Sequence, residues 1–204
     1  MIQMKRRPPS SAIWLGKLLC LFCLLVWSSS CEDKSIPKPK GYLRIALPDK
    51  NFRRYDSLCP YSFNIPVYAQ IKPSTSKIAE PCWADIVYPS LHGTLHLSYK
   101  KIENNLPKLL EDVRKLTNKH IPKANAIRKT LIENTDKKVY GLFIEVDGTG
   151  VASPVQFYLT DSTHHFLRGA LYFYASPNAD SLAPVINFIK EDLNQMVNSF
   201  QWKK

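Results

Sequence analysis

The stretch VQFYLTDSTHHFLRGALYFY, residues 155–174, decides the fold because it holds two apolar runs around a short polar segment. Val155 to Thr160 and Phe166 to Tyr174 are rich in the β-branched and aromatic residues that favour strands. The polar segment between them, Asp161 to His165, is typical of a hairpin turn. The sequence therefore predicts a pair of strands joined by a turn.

Further short runs with strand character lie upstream, and prolines separate many of them. The candidates are Tyr42 to Leu47, Tyr61 to Ile65, Val67 to Lys72, Trp83 to Tyr88, Thr94 to Lys100, Ala126 to Ile132 and Val139 to Val146.

Two segments have the periodicity of amphipathic helices. The first follows the possible caps Asn104 and Asn105, and the second begins near Asp180 or Ser181. The apolar stripe of the first consists of Leu106, Leu109, Leu110, Val113 and Leu116; that of the second consists of Leu182, Val185, Ile186, Ile189, Leu193, Met196, Val197 and Phe200. This order of elements predicts an α+β domain with a mainly antiparallel sheet and two amphipathic helices.

The N-terminus has the pattern of an export signal. Basic residues 5–7 precede an apolar run over residues 12–27, and no acidic residue occurs before Glu32. That run is shorter than the roughly 20 residues of a membrane-spanning helix. We expect residues 1–30 to be a lipoprotein signal peptide and Cys31, which follows three serines, to carry diacylglycerol and palmitate-type acyl chains. An ordinary secretory signal is the alternative, and translation can start at Met1 or Met4.

Residues 31–40 combine charge with two prolines, so we expect a lipidated, extended tether followed by a single domain over 41–204. Without residues 1–30 the chain keeps 24 basic and 17 acidic residues, a net charge of +7. This charge suits anionic lipid headgroups or acidic partners, while the export signal disfavours nucleic acid. The expected location is the cell envelope, facing the periplasm at the inner or outer membrane.

Cysteine usage predicts one disulfide. Two of the five cysteines lie in the expected signal peptide, which leaves Cys59 and Cys82 beside Cys31. Spare thiols in an oxidising compartment usually pair, so we expect a disulfide between Cys59 and Cys82. Two independent buried thiols are the alternative.

The polar clusters give no convincing catalytic or metal site. His92 and His96 have a zinc-like spacing, but on a strand they would share a solvent-facing surface and lack a third ligand. Asp161, Ser162 and His164 are residue types of a hydrolase triad, yet a triad normally converges from separate segments. We therefore predict no catalytic residues, no metal and no cofactor.

One strand face has the composition of a protein-binding surface. Alternation along the last strand places Arg168, Tyr172 and Tyr174 on the same face. Arginine and tyrosine are enriched at interface hot spots, so these residues are candidates for contact with another protein. The alternative is a sheet buried on both faces, with tyrosine hydroxyls bonded at its rim.

Several stretches together resemble the gliding-motility lipoprotein GldD family: PKPKGYLRI at 37–45, Cys59-Pro60-Tyr61, Glu80 to Trp83, GTLHLSYK at 93–100, QFYLTDSTHHFLRGALYFY at 156–174, Asn178, Asp180 to Pro184 and Phe200 to Lys203. The resemblance implies a role in gliding motility and the associated type IX secretion machinery, without known catalysis, and a lipid on Cys31. The element order and YSFNIP at 61–66 also resemble the PsbP-like α/β/α sandwich.

The leading hypothesis is a non-enzymatic envelope lipoprotein that contacts other gliding and secretion proteins. One alternative is an envelope hydrolase that acts on peptidoglycan or esters through Asp161, Ser162, His164 and His96. Another is a small-ligand-binding lipoprotein, which would need an apolar pocket between sheet and helix.

Overall fold

The computed structural model describes residues 46–174 and 179–203. Within them, ten strands and two α-helices follow one another along the chain. They are β1 (Phe52–Asp56), β2 (Tyr61–Pro66), β3 (Gln70–Pro73), β4 (Ala84–Tyr88), β5 (Gly93–Lys101), α1 (Leu106–Asn118), β6 (Ala126–Asn134), β7 (Val139–Asp147), β8 (Val155–Thr160), β9 (His165–Phe173), α2 (Ala179–Ser199) and β10 (Gln201–Trp202).

The strands form two antiparallel sheets. The larger has the order β3-β4-β5-β9-β8-β7-β6, and the smaller has the order β1-β2-β10. The predicted hairpin of β8 and β9 lies near the centre of the larger sheet, where Phe157 pairs with Gly169. The mainly antiparallel α+β fold with two helices is thus confirmed.

The two helices pack on opposite faces of the larger sheet. Leu95, Leu167 and Leu171 on one face pack with Ile189 and Leu193 of α2, and all five are completely buried. Residues of the smaller sheet, including Phe63, join this main core. A second core lies on the other face, where Val113 of α1 packs with Ile144, Val146 and Phe166. Within the described residues, neither helix is long and apolar enough to cross a membrane.

Several predicted boundaries were wrong. The candidate strand from Val67 to Lys72 begins only at Gln70, because residues 67–69 form a turn in which Ala69 N–H donates to the Pro66 carbonyl. The candidate from Tyr42 to Leu47 falls mostly outside the described residues, and Ala46 and Leu47 are not in a strand.

The buried stripe of α1 also differs from the prediction in its last turn. Leu116 is 36% exposed, whereas Thr117 is only 3% exposed. Thr117, four residues after Val113, lies about 40° around the helix from it, whereas Leu116, three residues after Val113, lies about 60° away in the other direction, at the edge of the stripe.

The structure contains a disulfide between Cys59 and Cys82. It links the segment between β1 and β2 to the segment before β4. The Tyr61 hydroxyl donates a hydrogen bond of 2.6 Å to the Cys82 carbonyl beside it. Cys31 and the expected signal peptide and tether lie outside the described residues.

Candidate protein-binding face

The candidate face is the side of β9 and its neighbouring strands that faces away from α2. Along β9, Leu167, Gly169 and Leu171 face the core beneath α2, and the alternate residues Arg168, Ala170 and Tyr172 face the opposite side. We use the name Arg-Tyr face for the side chains of Arg168, Tyr172 and Tyr174. The structure places all three on the side predicted from the alternation.

Arg168 is a half-buried cation at the inner end of this face. Its Nη2 donates a hydrogen bond of 3.0 Å to Oε1 of Gln156, which is completely buried on the adjacent strand β8. The Nε of Arg168 and the Nε2 of Gln156 are buried without a hydrogen-bond partner in the structure. No carboxylate forms an ion pair with Arg168 in the described part of the chain.

Burial changes the electrostatics around Arg168. Loss of solvent lowers the pKa of the guanidinium, and the neighbouring Tyr172 partly opposes this change. His120, which follows α1, also has a lowered pKa, first because of burial and second because of the positive charge of Arg168. A guanidinium nevertheless stays protonated in proteins. The face therefore presents a partly desolvated positive charge that lacks a counter-ion within the described residues.

Two tyrosines extend the face toward solvent. The ring of Tyr172 is half-buried and lies 5.6 Å from the ring of His96 on β5, measured between centroids. Tyr174, just after β9, is 76% exposed, and its hydroxyl accepts a hydrogen bond of 3.1 Å from the Thr94 hydroxyl. This arrangement leaves two large amphipathic rings at least partly accessible on the surface.

His96 belongs to this face as a polar neighbour. Its Nδ1 lies 2.7 Å from the Asp85 carboxylate on β4. His92, in contrast, lies before β5 in a left-handed conformation with φ of 50°. The prediction that both histidines share a strand was therefore wrong, because the strand begins only at Gly93. No group of three or more potential ligands has the geometry of a metal site among the residues that the structure describes.

The polar segment from Asp161 to His165 forms the predicted turn. Oδ1 of Asp161 accepts backbone N–H groups of Thr163, His164 and His165 at 3.0, 2.8 and 2.8 Å. The His165 ring bonds instead with the Tyr99 hydroxyl at 2.8 Å. In the described structure no histidine bonds the Ser162 hydroxyl, so these residues do not form a nucleophile with its base.

The space between the larger sheet and α2 is filled by side chains. Besides the leucines of the sheet, Phe157 and Phe200 are completely buried there. A cleft of about 410 Å³ lies at the margin of this interface, and Arg128, Asp147 and Asn187 line part of it. A second cleft of about 390 Å³ lies where Leu91 and Phe173 face Leu182 and Val185 of α2, and its lining is mainly apolar. This cleft, rather than the filled interior, would have to hold the ligand in the ligand-binding alternative.

Gln156, His120 and Thr117 were not predicted as parts of this region. Gln156 and Thr117 are buried polar residues in otherwise apolar elements, and each has a side-chain atom without a hydrogen-bond partner. Each is a single polar residue within an otherwise apolar stripe, and this pattern in the sequence could have identified them as candidates. The proximity of Gln156 and His120 to Arg168 depends on the pairing of β8 with β9 and on the placement of α1, which no local pattern specifies.

Comparison with known proteins gives a family and a likeness to a solved structure. The chain resembles the solution structure of cyanobacterial PsbP (CyanoP) from Synechocystis sp. PCC 6803, with 12% identity and a TM-score of 0.44 over 76% of this chain and 95% of that chain. No curated protein sequence matches the chain. The family model described as gliding motility lipoprotein GldD matches residues 32–202, nearly the whole chain after Cys31. The chain therefore belongs to the GldD family of gliding motility lipoproteins.

Proposed function

We propose that this protein is a non-enzymatic docking component of the gliding apparatus and of the associated type IX secretion machinery. Membership of a gliding motility lipoprotein family implies a membrane-anchored envelope lipoprotein. In this proposal a lipid on Cys31 holds the domain at the membrane, facing the periplasm. The domain then acts through contacts with other envelope proteins.

The observation that carries the proposal is the charge of Arg168, which has no ion-pair partner among the described residues. A half-buried guanidinium with an unbonded Nε can form a charge-assisted hydrogen bond with a carboxylate that another protein supplies. Tyr172 and Tyr174 flank the charge and can exclude water from such a contact. The proposed partner is a protein that inserts an acidic side chain against the Arg-Tyr face.

The test replaces Arg168 with Gln in the full-length protein in its own host. Gln keeps a polar side chain of moderate size but removes the charge, so we expect the domain to fold. Loss of an interface hot spot of about 2 kcal/mol weakens partner binding roughly 30-fold. Gliding motility and the yield of envelope proteins that co-purify from crosslinked native membranes should both fall.

Two further variants test whether the loss of gliding and co-purification is specific to the position and the shape of the Arg168 side chain. Arg114 on α1 is an exposed arginine outside the Arg-Tyr face, so Arg114→Gln should leave gliding and co-purification unchanged. Arg168→Lys keeps the charge without the planar fork and should restore only part of the binding. Normal gliding and co-purification in a stably folded Arg168→Gln, Tyr172→Ala double variant would contradict the proposal.

A further inference from the structure

The strand β6 leaves one edge of the larger sheet open. It pairs with β7 over all nine residues, from Ala126 opposite Asp147 to Asn134 opposite Val139, without a bulge. In the described structure no strand pairs with its other edge. An open edge presents backbone N–H and C=O groups that can pair with another strand.

The opposite edge of the sheet is much less suited to pairing. There β3 has only four residues and ends at Pro73, which has no backbone N–H to donate. In contrast, β6 is long and contains no proline. Edges are normally blocked by shortness, proline or inward charge, and β6 lacks the first two of these protections.

The side chains of β6 that lie on the α1 side of the sheet form a short pattern of charge, leucine and opposite charge. These are Lys129, Leu131 and Glu133, which pair across the sheet with Ile144, Leu142 and Tyr140. Leu131 is 69% exposed. Lys129 and Glu133 are also exposed, and neither forms an ion pair among the described residues. Arg128 differs, because it is held by Glu145 and Asp147 of its own chain.

This pattern of charges is complementary to the same pattern on a second copy of the strand that runs in the opposite direction. If two β6 strands pair antiparallel about a two-fold axis at Leu131, the two leucines lie opposite each other. Lys129 of each copy then lies opposite Glu133 of the other. An axis at Lys129 or at Glu133 would oppose like charges, and an axis at Thr130 would place Lys129 opposite Leu131.

We propose that two copies of this protein associate through β6, so that the sheet continues from one copy into the other with Leu131 on the axis. A closed two-fold contact of this kind satisfies both open edges at once. It buries the exposed leucines against each other and forms two symmetric Lys129–Glu133 ion pairs. This association is separate from the Arg-Tyr face, which lies several strands away across the sheet.

The first experiment introduces a single thiol at the axis. Leu131→Cys is made in the full-length protein, and native membranes are treated with a mild oxidant or a short bismaleimide. Cβ atoms of directly opposed residues lie about 4.5–5.5 Å apart, so the two thiols should give a covalent homodimer. Ile78→Cys is the matched control, because Ile78 is 74% exposed in the segment between β3 and β4. It should give no homodimer.

The second experiment tests the charges in the Leu131→Cys background. Lys129→Glu or Glu133→Lys alone opposes like charges twice and should weaken the dimer about tenfold. The double exchange recreates both ion pairs and should restore the crosslink. Arg168→Gln should leave the crosslink unchanged, so failure of the docking proposal and failure of this one can be told apart.

Three results would overturn the inference. One is the absence of a homodimer for Leu131→Cys when its thiol reacts with a monofunctional maleimide as readily as that of Ile78→Cys. Another is equal crosslinking of both variants, which would indicate crowding in the membrane. The third is a double charge exchange that crosslinks no better than either single exchange.

Discussion

Asp161 shows how one side chain determines the geometry of the central hairpin. Its Oδ1 accepts three successive backbone N–H groups, and Ser162 next to it adopts a left-handed conformation with φ of 69°. A carboxylate that accepts hydrogen bonds of this kind stabilises a turn of non-glycine residues. This turn fixes how β8 pairs with β9, and that pairing brings Arg168 beside Gln156.

The charge of Asp161 predicts a dependence of stability on pH. Burial by itself would raise the pKa of this carboxyl, but the hydrogen bonds from His165, His164 and Thr163 outweigh burial, and the pKa is lowered. A lowered pKa in the folded state means stabilisation above the unfolded pKa, lost as the pH falls through the folded value. Asp161→Ala should therefore reduce the free energy of unfolding by about 1–2 kcal/mol at neutral pH.

The control is Asp161→Asn, which keeps an acceptor oxygen without the charge. In urea unfolding, the wild type should be more stable than Asp161→Asn at about pH 6, and this difference should shrink by about pH 3. A difference that stays constant between these two pH values would show that the charge contributes nothing to the turn.

The alternation of residues along β9 predicted the three side chains of the Arg-Tyr face, but it did not predict the buried residues around Arg168. Alternation along one strand suffices to put Arg168, Tyr172 and Tyr174 on one side. Arg168 donates a hydrogen bond to Gln156 on β8, and its charge lowers the pKa of His120, which follows α1, so residues from three parts of the chain are involved. Their proximity results from tertiary packing, and a single sequence holds no local signal for it.

At the scale of elements, the strongly patterned segments were predicted well. The strand β8 has the predicted bounds, β7 differs from the prediction by one residue at one end, and β5 and β9 differ by one residue at each end. In contrast, β1 was missed because its sequence, FRRYD, lacks an apolar run. It forms through pairing with β2, where the Tyr55 ring lies 5.2 Å from the Phe63 ring. Tertiary pairing thus overrides weak local propensity at this sheet edge.

Close packing between β8 and β9 makes Gly169 a sensitive position. A Cβ at Gly169 would lie 2.3 Å from the ring of Phe157, which is completely buried. Gly169→Ala should therefore destabilise the protein by about 1–3 kcal/mol through overpacking. The free energy of unfolding in urea measures this effect.

A second substitution shows whether the ring is the cause. Phe157→Leu removes the planar ring that covers Gly169, so the double variant should lose less stability than the sum of the two single variants. Strict additivity would indicate that the ring is not what resists the added methyl group. Because both positions lie in the core beneath α2, neither change alters the exposed surface of the Arg-Tyr face.

At the scale of the whole molecule, the Cys59–Cys82 disulfide connects the two sheets. Cys59 precedes β2 of the smaller sheet, Cys82 precedes β4 of the larger one, and the two cysteines are 23 residues apart. Closing a loop of this length restricts the unfolded chain and contributes about 3 kcal/mol in the chain-entropy model. Reduction should lower the urea midpoint of the wild type by a corresponding amount.

The matched variant is Cys59→Ser with Cys82→Ser, which removes both thiols and so avoids unpaired cysteines. It should unfold near the midpoint of the reduced wild type, with or without reductant. If oxidised and reduced wild type have the same midpoint, the disulfide does not contribute to stability.

The pairing of β10 with β2 determines the order in which the two sheets can form during folding. Trp202 pairs with Tyr61, and Lys203 N–H donates to the Pro60 carbonyl at 2.9 Å. Phe200 stacks with Phe63 at 6.1 Å. The smaller sheet therefore cannot close until β10 is available to pair with β2, which precedes it by 141 residues at the pair Tyr61–Trp202. Such long-range pairing makes closure of the smaller sheet a late and comparatively slow event in folding.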